Sequence, residues 1–278
     1  MTHYSLLIGS SGGGFAATSF VELTSGSSTF SVPTGYNAIH IQYAVGAGGG
    51  AMRGADYDKA GGESAGAGGG SGAFISDKIF SVTAGETITY SVGAGGARGT
   101  GVYSGSAGDG TDTTLSGSTT GAIFTLSGGG GSSCAGGGVQ GPLRTNTAGT
   151  AGTATIDGTA ITSGIFSDSD NSIKNVTSNT SGPTSTFNDS GNGAVGDLSG
   201  SGNCGGDNCR INGNDGADSY DGNILGGAGG SSVGAGTAGT AGTRGSGGGG
   251  GAAQVNSGST QGAAGGDGEI KYRFLQVI

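Results

Sequence analysis

The sequence predicts an all-β chain, essentially without α-helix, in which glycine rods stand where a β-sheet scaffold would otherwise carry loops. Three observations predict it. Apolar and β-branched residues alternate with polar ones at a period of two in several short stretches. Glycine supplies 71 of 278 residues, where roughly 7% is usual. The glycines recur at every third residue, in blocks that begin where strand-like stretches stop.

The strand candidates in chain order are 19–23, 28–32, 39–45, 73–82, 88–92, 122–127 and 270–275. In the third, Ile39, Ile41, Tyr43 and Val45 alternate with His40, Gln42 and Ala44. That pattern predicts one buried face, with His40 an exposed strand residue. Ile88, Tyr90 and Val92 alternate with Thr89 and Ser91, and Ile270, Tyr272 and Phe274 with Lys271, Arg273 and Leu275. No stretch has helical periodicity.

Val45 leads into GAGGG, Val92 into GAGG and Ser127 into GGGG. Period three is kept by Gly66, Gly69 and Gly72, by Gly93, Gly96 and Gly99, and by Gly262, Gly265 and Gly268. The longest run holds Gly236, Gly239, Gly242, Gly245, Gly248 and Gly251. A polyproline-II-type helix has three residues per turn, so each run gives a rod one bare glycine edge. Such an edge admits another backbone to near contact. Collagen is excluded, because the chain has only Pro33, Pro142 and Pro183 and no longer glycine repeat. Charged residues at 10%, with clustered apolar residues, argue against a disordered linker.

Ordering a backbone costs about 1–2 kcal/mol per residue, and glycine buries no side chain to offset it. Hydrogen bonds between rods contribute about 1 kcal/mol net each, supplemented by Cα–H···O contacts. A lone rod therefore fails, and the several runs predict a bundle. Between residues 153 and 223 the rhythm breaks into a polar stretch rich in Asn, Asp, Ser and Thr, which reads as long irregular loops. Residues 1–28 precede the pattern and read as an attachment segment, followed by one domain over 29–278.

The formal net charge is −9. An acidic chain without Lys/Arg clusters argues against nucleic acid and against electrostatic attachment to anionic membranes. No apolar run approaches the length of a membrane-spanning helix, so no membrane insertion is expected. The first residues lack a basic n-region and predict no Sec signal peptide, hence assembly in a cytoplasm. Cys134, Cys204 and Cys209 are an odd set. Cys204 and Cys209 could close a small CGGDNC loop, but free thiols in a reducing compartment are the simpler reading.

Glycine-rich chains generate false motifs. Gly234 to Gly239 fits a dinucleotide fingerprint by letter, without the strand and helix it needs. Gly9 to Gly13 and Gly230 to Gly234 fit a nucleophile elbow, again without its context, and only His3 and His40 could serve as base. The expectation is no enzyme and no cofactor. Asp207, Asp215, Asp218 and Asp221 form the densest oxygen-ligand cluster, and their spacing matches no calcium loop. They read as a solvated acidic turn, a calcium site being the weaker alternative. The sequons at Asn175, Asn179 and Asn188 are incidental in such a loop.

Residues 29–35, TFSVPTG, precede a strand and then GAGGG; SVTAGET follows over 81–87, then a strand and VGAGG over 92–96; GGDGEI over 265–270 leads into the final strand. This order resembles the glycine-rich domains of bacteriophage tail fibres and adhesins, over about residues 29–278. The resemblance implies a jelly-roll-like β-sandwich with an inserted polyglycine-II helix bundle. It also implies a receptor-binding tip protein that recognises host surfaces through loops between the rods.

The resulting functional expectation is a virion structural protein, a tail-fibre or fibre-tip component that binds the host cell without catalysis. A capsid fibre or decoration protein is the alternative, and a glycine-rich ice-binding protein a further one. Expected partners are other virion fibre proteins and a host-surface glycan or outer-membrane protein. Candidate receptor contacts are Tyr103, in the loop after the fifth strand candidate, and Phe166, Phe187 and Tyr220 in the polar stretch. A homotrimer is compatible with Phe15, Phe20, Val21 and Leu23 being covered by partner chains.

Overall fold

A computed structural model describes residues 16–54, 66–101, 104–135, 145–160, 190–191, 210–211, 216, 238–251, 253–254 and 260–277. The strands are β1 (Val21–Leu23), β2 (Ser27–Ser31), β3 (Ala38–Val45), β4 (Phe74–Ser81), β5 (Thr87–Ser91), β6 (Gly105–Ser106), β7 (Thr113–Gly117), β8 (Gly121–Leu126), β9 (Ser133–Ala135), β10 (Thr145–Thr147), β11 (Ala154–Ile156), β12 (Thr159–Ala160), β13 (Ser190–Gly191), β14 (Arg210–Ile211), β15 (Ala253–Gln254) and β16 (Glu269–Leu275). Among the described residues there is no helix, as the missing helical periodicity predicts.

Two antiparallel sheets carry the core. One has the order β1-β16-β3-β4-β13 and the other β12-β11-β8-β7-β5-β2. Ile39, Ile41, Ile75, Ile270 and Phe274 from the first meet Ile88, Leu115, Ile123, Phe124 and Leu126 from the second in one buried cluster. Phe30 of β2 closes the sandwich edge by stacking on Tyr272 of β16, with ring centroids 4.7 Å apart. Residues 16–23, within the expected attachment segment, lie along the first sheet: Val21, Glu22 and Leu23 pair with Tyr272, Lys271 and Ile270.

The polar stretch is partly regular. Its first residues form the β11–β12 hairpin, in which Asp157 and Gly158 take φ of 48° and 71°. Positive φ at both central positions is the geometry that an Asp-Gly turn favours. Two further pieces pair elsewhere, β13 with β4 and β14 with β15.

The glycine blocks form the bundle that the period of three predicts. In rod 46–54, Gly46, Gly49 and Met52 donate their N–H groups to Ala73, Gly70 and Ala67. Ala47 and Gly50 donate to Thr111 and Gly108, and Gly48, Ala51 and Gly54 to Gly266, Ala263 and Thr260. Successive amides thus point to three different rods, and the fourth returns to the first, which is three residues per turn. The acceptor numbers fall as the donor numbers rise, so these three neighbours run antiparallel.

The carbonyls of the same rod serve three more. Gly96 and Gly99 donate to Gly48 and Ala51; Gly129 and Ser132 to Ala47 and Gly50; Gly248 and Gly251 to Gly49 and Met52. These rods run parallel to it. The surrounding rods also bond to one another: Gly69 to Gly248, Gly70 to Gly130, Gly110 to Gly129, Gly108 to Ala97, Gly265 to Gly96, and Ala263 to Gly249. Rod 46–54 is therefore the axis of a closed hexagonal ring of alternating direction.

The lattice explains the composition. A Cβ on Gly49 would fall on the carbonyl of Gly130, and one on Gly265 on that of Gly48. The predicted glycine edges face one another, since Gly66, Gly69 and Gly72 donate to Gly251, Gly248 and Gly245. One expectation needs correction. The longest period-three run is not a single rod: the chain reverses at Thr243–Ser246, where Arg244 and Gly245 have φ of 40° and 79°. Its two halves lie side by side, with Gly249 donating to Thr240.

Candidate functional site

Strand-to-rod connectivity gives the bundle a near and a far end. β3, β5 and β8 run outward into rods 46–54, 93–99 and 128–132. Rods 66–73, 107–111, 149–152 and 260–268 return into β4, β7, β11 and β16. The segments joining outward to returning rods consequently leave from the far end: 55–65, 100–106, 133–148 and 252–259. Two small pieces of structure lie there, the β10-β9-β6 sheet and the β14–β15 pair. Beneath the first, Met52, Ala107 and Cys134 form a small buried cluster. Ser132 braces that end from inside: its hydroxyl donates to the Ala67 carbonyl (2.7 Å) and accepts from the Met52 amide (2.9 Å).

Tyr103 lies outside the described residues, but its described neighbours Gly101 and Ser104 stand at this far end, between rods 93–99 and 107–111. Phe166, Phe187 and Tyr220 lie outside the described residues, as do Asp207, Asp215, Asp218 and Asp221 and the Cys204–Cys209 loop. Phe15 does too, whereas Phe20 and Leu23 are half-buried against their own chain and Val21 is exposed.

A second arrangement lies on the outer face of the first sheet. Sequence alternation put Tyr43 on the face of Ile41; the structure places it on the opposite one. The β16 register steps from Lys271↔Tyr43 to Tyr272↔Ile41, leaving Gln42 bulged and unpaired. The β4 ladder also lacks a Gln42–Asp77 pair, and Asp77 has a φ of 50°. A bulge of one residue reverses the alternation beyond it. Ala44 then enters the core, and Gln42 and Tyr43 face outward together.

With Glu22, Ser76, Asp77, Arg244 and Lys271, these two residues line a polar groove of about 450 Å³. Lys271 pairs with Glu22 at 2.6 Å, and its hydrogen bond and charge hold that carboxyl below its usual range. At the seam with the bundle, the buried Glu269 accepts the Tyr43 hydroxyl and pairs with Arg244 at 3.2 Å. Burial, then the bond donated to Glu269, pushes the Tyr43 phenol well above its ordinary value.

His40 is buried, not exposed as its place in the alternation suggested. Arg273 Nε donates to its Nδ1 (3.1 Å), which leaves Nε2 to donate to Asp77 Oδ1 (2.7 Å). Phe20 covers the pair, with the Arg273 guanidinium 4.5 Å from its ring centroid. The outward-facing charges of alternate β16 positions were legible in the sequence. The bulge that adds Gln42 and Tyr43 to them was not.

A family model described as a glycine-rich domain matches residues 22–275. Comparison with curated proteins gives no match.

Proposed function

The chain belongs to the glycine-rich domain family, and we propose that it is a binding protein of a bacteriophage virion, a tail-fibre or fibre-tip component that attaches to the host surface without catalysis. The observation that carries this reading is the common far end of the rods. Four connecting segments leave the bundle there, 55–65, 100–106, 133–148 and 252–259. The rods hold themselves by main-chain hydrogen bonds, so loop sequence can change without altering a side-chain core. Loops carried on such a scaffold suit recognition of a variable surface.

Within this reading Tyr103, in the segment 100–106, is a receptor contact, since an aromatic ring offers large and stiff contact area. Phe166, Phe187 and Tyr220 are contacts contributed by the polar stretch. The partners are other virion fibre proteins on one side and a host glycan or outer-membrane protein on the other, and the place of action is the virion.

The test is binding of the labelled full chain to host cells, comparing wild type with a variant whose segments 55–65 and 252–259 are Gly/Ser chains of equal length and whose Tyr103 is Ala. The expected result is a loss of cell binding of at least about tenfold, one or two hot-spot contacts' worth, at an unchanged melting temperature. A folded variant that binds as wild type does would overturn the proposal.

A further inference from the structure

The polar groove on the outer face of the first sheet is built from three local departures from regular geometry. Gln42 is bulged out of β3, Asp77 holds positive φ inside β4, and Arg244 holds positive φ in the turn between two rods. Positive φ at non-glycine residues inside an otherwise regular scaffold carries a conformational cost and concentrates at functional positions. Here all three departures bring side chains to one concavity, whose volume of about 450 Å³ falls within the ~300–1,000 Å³ of small-ligand sites.

The chemistry of the lining narrows the ligand. Two cations are matched inside the arrangement, Lys271 by Glu22 and Arg244 by Glu269, so no unmatched cation is left for an anionic ligand, while Asp77 leaves one carboxylate facing the groove. Two groups remain directed to binding. The Gln42 amide has no hydrogen-bond partner among the described residues, and it supplies both a donor and an acceptor. Asp77 is 78% exposed at its side chain, and His40 engages only Oδ1. The half-buried Tyr43 adds an aromatic surface whose hydroxyl is already committed to Glu269.

A carboxylate oxygen and an amide beside an aromatic ring suit vicinal hydroxyls on a partly apolar ring. We infer that this groove is a binding site for an uncharged sugar, with Gln42 and Asp77 as its polar contacts and Tyr43 as its apolar wall. It lies on the flank of the sandwich, apart from the far end of the bundle, and does not depend on the distal loops for its lining.

Saturation-transfer NMR on the full chain tests this, with glucose, galactose, mannose, N-acetylglucosamine and their β-linked disaccharides as probes. At least one sugar gives a saturable signal. Gln42→Ala weakens it about tenfold, the scale of losing a good hydrogen bond to a ligand. Asp77→Asn, which tolerates positive φ, does the same, and both variants melt with wild type. The variant with replaced distal loops keeps the signal even where it no longer binds cells. The inference is overturned if no sugar saturates, if only anionic sugars added as a control do, if neither substitution weakens the signal, or if replacing the distal loops removes it.

Discussion

Glu86 is 5% exposed, yet it accepts four hydrogen bonds: from the Thr83, Thr119 and Thr120 amides and from the Thr120 hydroxyl. It thereby ties the β4–β5 turn to the β7–β8 turn. Burial alone would raise its pKa; the bonds from Thr120, then Thr83 and Thr119, outweigh burial and hold it at about 2 against an ordinary 4.5. A carboxyl depressed in the folded state stabilises the fold fully above pH 4.5, and that contribution is lost as pH falls toward 2. Its size is about 3 kcal/mol at neutral pH. Glu86→Gln should therefore lower the melting temperature at pH 7 and flatten its dependence between pH 4.5 and 2. Equal slopes for the two proteins in thermal scans would contradict this account.

At the scale of elements, the rods offer the sharpest contrast between neighbouring residues. A Cβ on Gly242 would meet the Ser246 carbonyl of the adjoining rod, whereas Ala241 is exposed. Gly242→Val should cost about 2 kcal/mol or more through overpacking against backbone, and Ala241→Val should leave the melting temperature nearly unchanged. Similar losses at both positions would count against a three-residue turn there. The rods were legible because a period of three in glycine has few other causes. Their reversals were less so: Gly245 continues the same period through the turn after Arg244, and glycine serves a tight turn as readily as a packed edge.

The strands divide along similar lines. β3, β5 and β16 announce themselves by alternating side chains, while β7, with Thr113, Thr114, Ser116 and Gly117 around a single Leu115, does not. It becomes a strand because β5 and β8 flank it and because Leu115 fills the core. Its polar Thr113 is buried, with its hydroxyl accepting from the Gly93 amide at 3.0 Å. The groove was hidden for a related reason. A bulge leaves no compositional mark, so the shift that turns Tyr43 outward depends on pairing with β16 and β4, which local sequence does not encode. Period alone also could not separate the Asp157–Gly158 hairpin from the polar stretch after it, although the Asp-Gly pair itself is a turn signal.

For the whole molecule, the two layers divide the work. The sandwich has an ordinary apolar core and fixes the strands from which rods depart. Among the described residues the bundle has almost no side-chain core, and its hexagonal hydrogen bonding sets the spacing and direction of the six rods around 46–54. The alternation of outward and returning rods follows from antiparallel strand order in the sandwich, and it places the joining segments at one end. Glu269 links the layers, since it opens β16 directly after a returning rod and binds both Tyr43 of β3 and Arg244 of the rod turn. A platform held mainly by backbone hydrogen bonds suits the proposed receptor-binding tip with changing loops, and that is the central claim. Electron microscopy of virus particles prepared from the protein's source, labelled with antibody against it, tests the proposed function most directly. The account predicts gold at the free ends of the tail fibres; gold on the heads, or particles with no label, would contradict it.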